Sequence, residues 1–320
     1  MDSVPYIFCE DVLERQSTRN LFTMTDLSGQ WRSAAQRFLE KRRSFYIIIS
    51  KDDEGWFYAI GDEKTRDIEN GPHSHEEFLS MDRRYIEVNH ISVCFDPGHF
   101  HQLDVRKFQC SKEEIARRVV PFLTLRMRPN STVSFLSGCP KEFTLECLDM
   151  FRSCFSFGNM DLVYVGPESE EFLALQLKNN PFLHWLVLRS WPHTETTEQL
   201  LLTFLNSRRN RTLDITQLPP HDIQSPLNVT MTFVKAAVDS WVSGDEKRTL
   251  FVCGSVGATL EEILSIPVPE NVKRTEEEVE PEEEEEEGDI VVVWTKEDGS
   301  SLQCELYFSH DRVSIGSSDN

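Results

Sequence analysis

From about residue 113 onward, short apolar strands and amphipathic helices take turns along the chain, and this alternation limits the fold more than any other feature. The helical stretch SKEEIARRVVPFLTL precedes the strand STVSFLS. MDLVYVG is then followed by PESEEFLALQLKNN, FLHWLVLRS by TTEQLLLTFLNSRR, and RTLDI by SPLNVTMTFVKAAVDSWVSG, before KRTLFVCGS closes the series. Each strand carries two apolar residues on one face: Val133/Phe135, Leu162/Tyr164, Leu186/Leu188, Leu213/Ile215 and Leu250/Val252. Successive pairs stand 29, 24, 27 and 37 residues apart. One such unit cannot bury its own apolar face, so neighbours have to stack. Helix-start chemistry agrees, with Pro167 before Glu168, Glu170 and Glu171, and Ser225-Pro226 offering an N-cap and a proline at the first helical position. Met231, Val234, Val238 and Trp241 form one apolar face of the longest helix.

Strand then helix, every 20–30 residues or so, resembles a leucine-rich-repeat solenoid. The Asn or Cys usual three residues beyond the L-x-L pair is replaced by Pro167, Trp191, Leu218 and Ser255. The resemblance therefore implies an irregular parallel α/β stack rather than a regular horseshoe. The alternative is a compact α/β domain without a true repeat. The expected fold class is α/β, or α+β taken whole. A small helical bundle comes first, then the irregular stack, then a C-terminal β-hairpin.

The flanks supply the rest. In LSGQWRSAAQRFLEKR, Leu27, Trp31, Ala35, Phe38 and Leu39 share one helical face, with Thr25 or Asp26 as candidate cap. FYIIISKDDEGWFYAIG reads as a hairpin turning at KDDEG, and YIEVNHISVCF as a further strand. KRTEEEVEPEEEEEEG (273–288) is a like-charged run that cannot form a core and is expected to be disordered. DIVVVWTKEDGSSLQCELYF pivots on Asp298-Gly299 as a second hairpin. The expected divisions are a helical head at 1–43, a β-rich segment at 44–112, strand/helix repeats at 113–272, an acidic linker at 273–288, and a hairpin with tail at 289–320.

Net charge is −21, and ten glutamates between Glu276 and Glu287 leave −11 for the remainder. An acidic chain argues against nucleic-acid binding, which needs a clustered basic footprint. The basic groups at Lys41 to Arg43 and Arg208 to Arg211 read as solvated helix ends facing the negative pole of the helix dipole. No apolar run approaches the ~18–20 residues of a membrane span. The opening segment lacks the basic and apolar regions of a secretory signal. Eight scattered cysteines without a C-x-x-C pair then read as reduced thiols of an intracellular protein, cytoplasmic or nuclear.

No nucleophile elbow, phosphate loop or kinase signature is present. CGSVG (Cys253 to Gly257) lacks the lysine and glycine spacing of a phosphate cradle and reads as a strand-to-helix turn. His73/His75 and His99/His101 form two H-x-H pairs in turn-like sequence without a Cys ligand, and read as loop histidines rather than zinc ligands. No catalytic residue, metal or cofactor is expected, a hydrolase with an unrecognised site being the weaker alternative.

Residues 4–40 resemble an F-box, the motif built from Leu-Pro, an amphipathic helix with paired aliphatics, a second short helix and a third helix carrying a Trp. Here these are Val4-Pro5, Ile7 and Phe8, Val12-Leu13, Leu21, Leu27, and Trp31 followed by Phe38. Val4 stands where Leu is usual, and Thr18, Arg19 and Asn20 where apolar residues are common. MDSVP and the general plan look like the large nematode-expanded F-box and F-box-like families. The resemblance implies a non-enzymatic substrate-recognition subunit of a cullin-type ubiquitin ligase. A Skp-type adaptor would dock on Val4, Pro5, Phe8, Val12, Leu13 and Leu27. Trp31 and Phe38 would hold the helices together, and the repeats would hold a protein substrate. Trp191, just past a strand end, is the candidate exposed aromatic anchor of that partner surface. The alternative is a stand-alone interaction scaffold whose N-terminal helices cap the repeat core.

Overall fold

The structure is a computed structural model, and it describes residues 4–14, 16, 18–62, 72, 74–95, 106–207, 210–217, 225–243, 249–279, 289–307 and 311–318. The fold is mixed α/β: N-terminal helices, a stack of strands and helices, and antiparallel C-terminal strands. The chain forms two compact units, residues 1–131 and 132–320. The head, the β-rich segment and the helix after it thus belong together, a coarser division than the sequence suggested.

In the first unit, α1 (Tyr6–Glu14), α2 (Thr18–Met24) and α3 (Gly29–Lys41) form the head. Cys9 and Leu13 of α1, Leu21 of α2, and Ala34, Ala35 and Phe38 of α3 make its buried cluster, joined by Tyr85. The two alanines let the short helices approach α3 closely. Thr25 and Asp26 do not cap α3 as expected. The Thr25 hydroxyl donates back to Phe22 O at 2.6 Å and Asp26 N to Thr23 O at 3.2 Å, so both close α2. Ser28 is the N-cap of α3, followed by Gly29 at φ +64°.

Next come β1 (Arg43–Asp52), β2 (Gly55–Asp62), α4 (His75–Ser80), β3 (Ile86–Val93) and β4 (Arg106–Gln109). The expected hairpin forms with Asp52 opposite Gly55, and β1 also pairs in parallel with β3, while β4 pairs with β2. Helices α5 (Lys112–Glu114) and α6 (Val120–Thr124) flank a π turn at Ile115–Val119. Pro121 has no N–H for the Arg117 carbonyl and its ring crowds that group, so the helix widens just before it.

Of the group Lys41 to Arg43, Lys41 is the exposed basic residue expected in the last turn of α3, whereas Arg42 is not solvated. Arg42 is 2% exposed, and its guanidinium donates to Leu13 O (3.0 Å) and Glu14 O (3.1 Å), the last carbonyls of α1, and to Gln16 O (2.5 Å) just beyond it. Arg128 also donates to Glu14 O, and Arg126 reaches the Glu14 carboxylate at 3.3 Å. A helix end leaves such carbonyls without intrahelical partners, and a cation there also meets the negative pole of the dipole. Burial pulls the Arg42 pKa down to about 10 against the opposing attraction of Glu87, 3.8 Å away.

Strand β5 (Met127–Phe135) spans the division, and the second unit continues with α7 (Lys141–Met150), β6 (Asn159–Val163), α8 (Pro167–Asn179), β7 (Trp185–Arg189) and α9 (Glu195–Leu205). Then follow β8 (Arg211–Thr216), β9 (Val229–Thr230), α10 (Met231–Ser243), β10 (Leu250–Gly257) and α11 (Leu260–Leu264). β5, β6, β7, β8 and β10 lie side by side and parallel in chain order. Right-handed crossovers that advance in one direction put every helix on the same face, and α7 to α11 do pack neighbour on neighbour.

The apolar pairs stack into two ladders. Val133, Met160, Leu186, Leu213 and Val252 form one, and Phe135, Leu162, Leu188 and Ile215 the other. In β6 the buried pair is Met160/Leu162 rather than Leu162/Tyr164, because the strand ends at Val163. Pro167 opens α8 as expected. Ser225-Pro226 does not open α10: Pro226 bridges Pro192, Leu227 N bonds Trp191 O at 2.9 Å, and the helix starts at Met231. The group Arg208 to Arg211 also departs from expectation at Arg211, which is buried. Its guanidinium donates to Phe204 O (3.3 Å), at the end of α9, and to Leu183 O.

CGSVG is not a strand-to-helix turn but the body of β10. A Cβ on Gly254 would meet Val229 Cγ2 at 2.9 Å and Ile215 Cβ at 3.0 Å, so the glycine lets two neighbouring strands close over it.

Strands β11 (Val272–Val279), β12 (Asp289–Lys296), β13 (Ser301–Tyr307) and β14 (Arg312–Ser318) form an antiparallel meander that joins β10 through β14. The expected hairpin is β12–β13, turning at Gly299 with φ +86°. The expected disorder at 273–288 is corrected for 273–279. There the backbone pairs residue by residue with β12, Val272 is buried, and Glu276 and Glu277 face solvent, so the pairing buries neither of these two carboxylates. The remaining residues, 280–288, lie outside those described.

Replacing Arg42 with Met would leave α1 carbonyls unpaired inside the protein, and a loss of about 3 kcal/mol is expected in urea unfolding. Gly254→Ala should cost roughly 1–3 kcal/mol by overpacking in the same measurement.

Candidate partner-docking surfaces

Two surfaces, one in each unit, are not covered by any described residue of their own unit. In the head, α1 buries one face and exposes apolar side chains on another. Cys9 and Leu13 point in, while Ile7 is 62% and Phe8 51% exposed. On α2, Leu21 is buried and Phe22 is 62% exposed. Phe8 meets the half-buried Trp31 edge to face, with centroids 6.3 Å apart. Beneath them the buried carboxylate of Glu10 lies 3.4 Å from both Arg37 and Arg84, so α1 is held in one rotation about its axis.

The expected docking residues divide. Pro5 and Phe8 are exposed, and Val4, Val12 and Leu27 are half-buried. Leu13 is fully buried in the head cluster and cannot meet a partner, which corrects that assignment. Trp31 and Phe38 do pack against the cluster. Ile7 and Phe22, outside the expected docking set, carry the most exposed apolar surface of the head. The signal for them was the 100° turn per helical residue, which sets Ile7 about 200° round the helix from Cys9 and Phe22 about 100° from Leu21.

In the second unit, the sheet face opposite the helices is lined by partly exposed side chains. One row runs Asn159, Trp185, Thr212, Phe251 across β6, β7, β8 and β10, and the next runs Asp161, Val187, Asp214, Cys253 and on to Ser314 and Glu305. Trp185 is 46% and Phe251 38% exposed. Arg189 holds Asp161 through two bonds of 2.6 and 2.8 Å, which raises the arginine's proton affinity. Asp214 accepts from the Thr216 hydroxyl at 3.1 Å and forms no ion pair among the described residues. Arg312 donates to Cys253 Sγ at 3.0 Å.

Trp191 is not the exposed anchor expected. It is fully buried, with Nε1 donating to Leu162 O at 2.9 Å and Tyr164 packed edge-on at 5.3 Å. Just past the end of β7, the chain turns back over the core instead of outward. Trp185, at the other end of the same strand, is the aromatic that meets solvent.

His75 lies on α4, its Nδ1 2.7 Å from the Tyr58 hydroxyl and its Nε2 3.1 Å from Glu114. With Glu76 these groups bring three ligand-type atoms within 4.8 Å of one another. Arg118, however, already bonds both carboxylates at 2.9–3.1 Å and supplies the positive charge there. His73, His99 and His101 lie outside the described residues. A cleft of about 210 Å³ between α7 and α8 is lined by Leu148 and Phe172 with Asp149, Arg152, Glu168 and Glu171, all four charged groups exposed. All eight cysteines are free thiols. Among the described residues no helix is long and apolar enough to cross a membrane.

Comparison of the chain with protein-family models, with curated proteins and with solved structures finds no match.

The head geometry separates two kinds of apolar residue by experiment. Leu13→Ala should lower stability by about 3 kcal/mol through the cavity it opens, whereas Phe8→Ala should cost less than about 1 kcal/mol. Thermal unfolding of the two variants checks the difference.

Proposed function

We propose that this chain is the substrate-recognition subunit of a cullin-type ubiquitin ligase, docking a Skp-type adaptor through its head and a protein substrate through the strand/helix body. The reading is supported by one observation above others: three short helices, in the order and spacing that resemble an F-box, keep Ile7, Phe8 and Phe22 in solvent. Aromatic side chains left bare on a surface mark binding sites, since burying them on a partner is favourable and leaving them wet is not. Pro5, Val4, Val12 and Leu27 widen the patch, while Leu13 acts beneath it by holding α1 in place. No catalytic group is assigned. An intracellular setting, cytoplasmic or nuclear, goes with this role and with the free thiols.

The experiment is co-expression of the full chain with a Skp-type adaptor and its cullin, followed by affinity capture. The native chain is expected to recover the pair, and Phe8→Asp and Phe22→Asp, at exposed positions, are expected to lose it while melting like the native protein. Recovery by both variants, or failure of the native chain to recover the adaptor, would overturn the reading. In the second case a free-standing scaffold is the function left.

A further inference from the structure

The open sheet face of the second unit has a chemistry of its own. Residues 132–320 hold 14 Lys and Arg against 33 Asp and Glu, and leaving out the ten glutamates of 276–287 this unit still carries −9, against −2 for the first unit. A charge of that size repels anionic partners and draws cationic ones, with a reach of about one Debye length. On the face itself, Trp185 and Phe251 stand on either side of Thr212, in register across β7, β8 and β10. Two interstrand spacings, roughly 10 Å, separate their backbones, and the Phe251 ring leans toward Gly316 of β14, leaving the surface above Thr212 open. Asp214 lies two residues farther along β8 on the same face, its carboxylate in no ion pair among the described residues, although Arg189 also attracts it through space. Asp161, by contrast, is matched by Arg189.

From this arrangement we infer that the face binds an extended, lysine- and arginine-bearing segment of a partner protein, with one cationic side chain seated over Thr212 beside Trp185 and paired to Asp214. The indole face attracts the cation's charge and covers its methylene stem, and the carboxylate supplies the counter-charge. Thr212, Thr216 and Ser255 add polar side chains on the same two strands, β8 and β10. Nothing in this site depends on adaptor docking by the head. A ligase subunit and a scaffold would use it alike, and each idea can fail without the other.

The test uses the full chain and a fluorescently labelled peptide of about ten residues, alternating Lys with Ser so that the lysines share one face of an extended chain. A second peptide has Glu in place of Lys. Anisotropy titration should show binding of the Lys peptide, weakened by added salt, and none of the Glu peptide. Trp185→Ala and Asp214→Asn should each weaken binding by about tenfold, and Phe251→Ser should do the same. A variant with glutamines at 282–287 is expected to bind within about twofold of native when Trp185, Phe251 and Asp214, rather than the acidic run, hold the peptide. The proposal falls if the native chain does not bind the Lys peptide, if Trp185→Ala or Asp214→Asn binds as native does, or if the glutamine variant loses binding.

Discussion

A buried guanidinium closing a helix end is the interaction on which both halves of this protein turn. Arg42 gathers the last carbonyls of α1 beneath the head. In the other unit Arg211 does comparable work, bonding Phe204 O at the end of α9 while lying over the Phe204 ring at 4.9 Å. Carbonyls at a helix end need donors, and a rigid fork of five N–H groups can serve several at once. The desolvation of the charge is large, and it is offset only because the surrounding oxygens converge on it. Lysine could not replace either residue, having a single nitrogen and no planar fork.

These anchors decide what is left uncovered. With α1 fixed by Arg42 at its end and by the Glu10 pairs along its length, Cys9 and Leu13 stay inward, and Ile7 and Phe8 have no choice but to face water. In the second unit the cause is topological. Because the parallel strands advance steadily in one direction, every crossover helix lies on one side, and the opposite side keeps Trp185, Phe251 and a set of charged groups in solvent. A doubly wound order would have covered that face.

Much of the fold was legible because periodicity reports burial directly. The apolar pairs at two-residue spacing found the parallel strands, and KDDEG and Asp298-Gly299 marked the two hairpins. What escaped depended on distant partners. Arg42 and Arg211 look like ordinary basic residues at helix ends, and only the tertiary arrangement brings carbonyls from 26–29 residues away around the first of them. The glutamates of β11 read as disordered because like charges repel, yet backbone pairing with β12 is indifferent to side chains that point into water. On the candidate surfaces the error was one of rotation. Leu13 and Phe8 are both apolar members of one helix, and composition does not say which of them the neighbouring helices cover. Trp191 failed for a related reason: lying past a strand end says nothing about which way the chain then bends.

The acidic outer strand has a consequence for the company this protein can keep. A sheet that ends in unpaired peptide groups invites another copy to continue it, but two β11 strands laid side by side would set Glu276 and Glu277 of one molecule against those of the next. That repulsion opposes edge-to-edge pairing of like molecules.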